Sequence, residues 1–187
     1  MASLVVNRCL PLLLCLGGVL LSTCARGAES ESALALFRAI DERLGYMEEV
    51  GRSQAKNQIP IEDLKRERIV LLDAKNLAAS QGLDPESMET FFIAQINAAK
   101  AIQYRYRADL LSQEMPTRTV DLQTDIRPAL DQLGSDIIRL FAVLLSNDHL
   151  FNERDRDLFL ATVQRNLLTD ADKQALYGAI LEVELAR

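Results

Sequence analysis

Apolar residues recur along this chain at steps of three and four, and nothing after the first twenty-five residues alternates as a strand would. Proline and glycine act as punctuation, at Pro60, Gly82, Pro85, Pro116 and Pro128. The segments between them predict helices over about residues 32–58, 61–81, 85–113, 122–146, 152–167 and 169–186. Gly82 is placed to end the second. Asp84 followed by Pro85 caps and opens the third, because an aspartate accepts the orphan N–H groups of a first turn and proline has none to lose. Pro128 falls in the first turns of the fourth. Thr169 and Asp172 have capping-box spacing at the start of the last. The expected fold class is all-α, a single-domain bundle of about six helices.

Three of these helices carry polar residues inside apolar seams. In the first, Leu36, Ile40, Arg43, Met47, Val50 and Gln54 follow at steps of 4, 3, 4, 3 and 4, a seam that faces other helices. Arg43 and Gln54 are the polar members, about 16 Å apart along the axis. A buried guanidinium is costly unless an anion meets it. In the second helix Asp63, Arg66, Val70 and Leu77 share a face, with Glu67 beside Arg66. In the third, Phe92, Ile96, Ala99, Gln103 and Tyr106 form a seam in which Gln103 is the amide, and a buried amide needs partners. Three helices bringing cations and amides to an apolar interior suggest an anion site between them.

Composition narrows this picture. Residues 10–21, LPLLLCLGGVLL, form an apolar run followed by small residues in STCARGA, the layout of an export signal too short to span a membrane. Cleavage after Ala25 is expected, giving a signal peptide over 1–25 and one helical domain over 26–187; acylation at Cys24 is the alternative. All three cysteines, Cys9, Cys15 and Cys24, lie in the leader, so the domain has no disulfide, thiol nucleophile or cysteine metal site. Its location would be periplasmic or secreted, with no membrane association after cleavage. A formal net charge of −6 argues against nucleic acid, despite YRYR at 104–107, which is read as a solvated helix end. His149, the one histidine, has no second histidine for a metal and no nucleophile to activate. NERDRD at 152–157 is read as a solvated helix start.

With these residues in hand, the chain resembles the exported, all-helical chorismate mutases, the gamma class of the type II chorismate mutase fold. The resemblance covers about residues 34–186. It rests on IDERLGYMEEV, IPIEDLKRE, GLDPESMETFF, AQINAAKAIQYRYRADLLSQ and LTDADK, and above all on the spacing of Asp63, Arg66 and Glu67 together with Gln103. It implies an isomerase that rearranges chorismate to prephenate, a step of aromatic amino acid biosynthesis, with no cofactor, metal or covalent intermediate. Catalysis would come from holding the compact form of a flexible dianion and placing donors at the breaking ether oxygen. Carried over by position, Arg43 and Arg66 would bind carboxylates, Asp63 would stand beside Arg66, Glu67 would meet the substrate hydroxyl, and Gln103 the ether oxygen. Monomer and homodimer both fit, since exported members can complete the pocket within one chain.

Three positions depart from the pattern. Gln54 stands where the family has a lysine aimed at the ether oxygen. Alignment through LDQLGSDII places Asp136 where the fourth helix usually brings a cation. Ala99 replaces a common hydroxyl or amide residue, and Lys100 beside it is a candidate replacement cation. Two readings therefore stay open: an active mutase, and a catalytically impaired binding protein on the same fold.

Overall fold

The computed structural model describes residues 20–112 and 120–187, with side chains from Glu31 onward. The expected signal peptide up to residue 19 and the expected helix end around Gln113 and Pro116 lie outside the described residues. The elements are α1 (Leu20–Gly45), α2 (Met47–Lys56), α3 (Leu64–Ser80), α4 (Pro85–Asp109), α5 (Arg127–Ser146), α6 (Glu153–Thr162) and α7 (Asp170–Leu181). A 3₁₀ turn, Leu110–Ser112, follows α4, and a π-helical turn, Leu122–Ile126, leads into α5. α1 packs on α5 and α6, while α4 packs on α2, α3 and α7. Among the described residues no strand forms, and no helix is long and apolar enough to cross a membrane.

The capping chemistry follows the sequence closely. Asp84 accepts from Ser87 N–H at 2.7 Å, with Pro85 opening α4. Gly82 adopts φ +75°, the left-handed geometry that closes a helix without Cβ strain. Thr169 and Asp172 form the expected capping box, and Asn152 with Asp155 forms a second.

Several expectations are corrected. The expected first helix begins at Leu20 rather than Ser32 and divides at Tyr46 into α1 and α2. α6 stops at Thr162 rather than 167. Asp41 of α1 accepts from Gln164 N–H and Arg165 Nε just beyond that end, at 3.1 and 2.8 Å, drawing the chain out of the helix. α7 stops at Leu181 because the tail instead pairs with the α3–α4 turn: Leu185 bridges Leu83, and Asp84 N–H donates to Glu184 O at 2.9 Å. NERDRD is not wholly solvated, since Asp155 is buried under His149, its Oδ2 3.3 Å from Nε2. YRYR is more than a solvated helix end: Tyr104 stays exposed, but the four side chains tie helices together. Tyr104 donates to Glu62, Arg105 to Asp172, and Arg107 to Ile59 O, while the Tyr106 hydroxyl accepts from Arg52.

All six phenylalanines form one chain of ring contacts through the core. Phe92 meets Phe91, Phe91 meets Phe141 at 4.9 Å, Phe151 joins that pair to Phe37, and Phe37 meets Phe159. Edge-on pairs of this kind add to the gain from burial. No cysteine follows Cys24, and this aromatic line through α1, α4, α5 and α6 is one continuous part of the buried core that holds the bundle. Phe141→Ala should therefore cost about 3–5 kcal/mol in urea denaturation. Leu150→Ala, at a side chain left 81% exposed, should stay within about 0.5 kcal/mol.

Candidate active site

A cavity of about 140 Å³ lies between α1, α2, α3, α4 and the start of α5. Arg43, Gln54, Asp63, Arg66, Glu67, Ala99 and Gln103, the seven candidates read from the sequence, all line it. Met47, Val50, Ile61, Val70, Ile96 and Leu130 supply its apolar walls. A larger cavity of about 450 Å³ adjoins it, sharing Gln54, Asp63, Leu122 and Arg127.

Arg43 sits at the end of α1, 6% exposed, with its guanidinium 5.8 Å above the centre of the Phe92 ring. Its Nε has no hydrogen-bond partner among the described residues. Burial lowers its pKa to about 10; Asp131 opposes the shift and Arg66 adds to it. The group thus remains a cation at neutral pH, desolvated and without a bonded carboxylate. Arg66 differs: its Nη2 donates to Asp131 Oδ1. Asp131 is thereby committed to Arg66 and reaches Arg43 only through space.

Asp63 works first as the cap of α3, accepting from Arg66 N–H at 3.0 Å, while its other oxygen lies 3.7 Å from Arg127. Glu67 lies in the first turn of α3, where the helix dipole favours a carboxylate. Gly51 lets α2 approach α4 closely, since a Cβ there would lie 3.3 Å from the Tyr106 ring and 3.5 Å from Gln103 Cα. That approach brings Gln54 and Gln103 into the same cavity. Gln103 Nε2 rests 3.2 Å from Met47 Sδ, a weak acceptor, and Oε1 of both glutamines is buried without a partner. A half-turn of either amide exchanges its donor and acceptor, so each can offer N–H to a ligand oxygen. Three buried polar side chains, each with an atom that lacks a hydrogen-bond partner among the described residues, thus meet in one pocket with two further arginines.

Asp136 takes no part. It points outward, accepting from Gln132 and Arg139, each at 2.9 Å. The cation that α5 brings to the cavity is Arg127, at its first residue. Counting through LDQLGSDII chose the wrong turn of the helix; the usable signal was the basic residue directly before Pro128. Lys100, raised as a replacement cation, lines the cavity but is bonded to Glu62 and Glu67.

Residues 34–104 match the family model described as chorismate mutase type II. The chain is 40% identical over 146 residues to a secreted chorismate mutase of Yersinia pestis, covering 78% of each chain. It belongs to the type II chorismate mutase family. It is also 32% identical over 160 residues to a monofunctional chorismate mutase of Enterobacter agglomerans, covering 86% of this chain and 88% of that one. The crystal structure of the secreted Yersinia pestis chorismate mutase superposes with a TM-score of 0.74 at 37% identity, over 80% of this chain and 97% of that one. The family match spans α1 to α4, which carry all seven candidates, whereas Arg127 lies beyond it.

Because the folded pKa of Arg43 is depressed, its charge opposes folding at every pH below about 10, and that cost fades only between there and the ordinary arginine value. Arg43→Met should accordingly leave the free protein as stable or stabilise it by about 1 kcal/mol. In thermal melts, wild type should rise on adding a small dicarboxylate and the variant should not.

Proposed function

We propose that the protein is an exported chorismate mutase, converting chorismate to prephenate by a pericyclic rearrangement. The observation that carries this is the cavity itself: a buried, unpaired Arg43 beside Arg66, Arg127, Gln54 and Gln103. In the reaction an ether C–O bond breaks as a C–C bond forms, and no proton is transferred. The protein therefore needs no general base, only a rigid mould with charges fixed in place. Arg43 and Arg66 take the substrate carboxylates, with Arg127 adding positive potential from the start of α5. Asp63 fixes the first turn of α3, and so the position of Arg66. Glu67 accepts from the ring hydroxyl, and Gln103 and Gln54 donate to the ether oxygen. Ala99 leaves room for the ring.

Every residue given a role lies in one chain, so a homodimer would not be needed to complete the site. Residues 1–25 act as a cleaved signal, and the enzyme works in the periplasm or outside the cell. The names of two secreted relatives, from Yersinia pestis and Mycobacterium tuberculosis, support export.

Gln54 favours a second reading, a binding protein whose chemistry has faded. A neutral amide makes a bond roughly half as strong as a charged donor. With Asp136 outside the pocket and Arg127 inside it, only Gln54 remains to support that reading, and weakened activity is the better account.

The test follows chorismate absorbance with purified protein. Loss above the uncatalysed background is expected, and none would leave only the binding reading. Gln54→Lys should raise kcat/KM by about 10²-fold, the scale of one preorganised donor. Asp136→Arg should leave it within about twofold, as for an outward-facing surface change.

A further inference from the structure

Lys100 has no role in the scheme above, yet it stands on the cavity wall, between Ala99 and Gln103 on α4. Its ammonium lies between two carboxylates, 3.0 Å from Oε2 of Glu62 and 3.3 Å from Oε2 of Glu67. The two differ in placement: Glu67 lines the inner cavity and Glu62 the adjoining one. Glu62 is held in turn by the Tyr104 hydroxyl, which donates to Oε1 at 3.1 Å. Tyr104 is one helical turn beyond Lys100, so α4 grips Glu62 at two points, and Glu62 braces Lys100 from outside.

A solvated lysine holds one carboxylate loosely. Here the lysine side chain is 21% exposed, and its ammonium is held by two carboxylates, one of them fixed in turn by Tyr104. Burial pulls its pKa down, and the bonds to Glu62 and Glu67 outweigh that, leaving it above the ordinary lysine value. The charge arrangement around it matters for a dianion. Glu62, Asp63 and Glu67 place three carboxylates on the walls of the two adjoining cavities. Asp63 is answered by Arg127 and by the α3 backbone. The cation that answers both Glu62 and Glu67 is Lys100.

We infer that Lys100 is a positioning residue: it holds Glu67 against the wall through Oε2, leaves the other oxygen for the substrate hydroxyl, and cancels the charge that Glu62 and Glu67 would turn on an incoming dianion. This rests on the mutase reading. Lys100 acts through Glu67 rather than touching the reacting atoms, which separates it from a lysine aimed at the ether oxygen.

The test is steady-state kinetics with chorismate on wild type, Lys100→Met, Lys100→Arg, Glu67→Gln and the Lys100→Met/Glu67→Gln pair. Lys100→Met should lower kcat/KM by about 10–100-fold, through a raised KM as well as a lower kcat. Lys100→Arg keeps the cation and should recover all but about fivefold of it. The double variant should lose much less than the product of the two single losses, the mark of two residues acting largely as one unit. The melting temperature of Lys100→Met should stay within about 3 °C of wild type, the scale of about 1 kcal/mol in a chain of this size. Independent, multiplying losses in the double variant, or an arginine as poor as methionine, would overturn the assignment. Wild-type protein inert toward chorismate would overturn the mutase reading and this role together.

Discussion

A guanidinium buried without a bonded carboxylate is the constraint around which this molecule is arranged. Arg43 is carried inward by the same seam that packs α1 against its neighbours. Asp131, the nearest opposing charge, is bonded to Arg66 instead. Phe92 offers the face of its ring, which eases the desolvation without cancelling the charge. The protein thus gives up some stability to keep a cation ready for an anion, the usual bargain at a functional site. The aromatic line through Phe91, Phe141 and Phe37 supplies the rigidity that prevents the pocket from collapsing around it.

The groups around Arg43 divide into two kinds. Arg66, Arg127 and Lys100 each have an acidic partner, so their charge is oriented but partly neutralised. Arg43, Gln54 and Gln103 keep atoms with no partner at all among the described residues. A ligand entering the cavity therefore gains most at the second group and competes with existing pairs at the first. On the proposed reading the ether-oxygen side is served by two neutral amides, while the charge is concentrated at the carboxylates and the hydroxyl. Binding of a dianion is thus better provided for than the chemical step.

Much of this was legible along the chain. The spacing of Arg43 and Gln54 in one seam, and of Asp63, Arg66 and Glu67 across one turn, is local information that helix geometry converts into a shared face. Caps at Asp84 and Thr169 are equally local. What escaped depends on contacts between distant segments. Asp131 meets Arg66 across 65 residues, and no periodicity reports that. Arg127 enters the cavity because a π-helical turn delivers the chain into α5 there, which shifts the register that a regular helix would suggest. The tail leaves its helix because it finds backbone partners beside Gly82. Gln95, wholly buried with both amide atoms unpartnered, was missed as well, and nothing in the cavity explains it.

The most direct measurement is a crystal structure with a non-reacting dicarboxylate analogue of chorismate. The account predicts one carboxylate within hydrogen-bond distance of Arg43, the ring against Ala99, the ether-side oxygen facing Gln103 and Gln54, and the hydroxyl on Glu67. An analogue lodged only in the outer cavity, with Arg43 still lacking a partner, would contradict it.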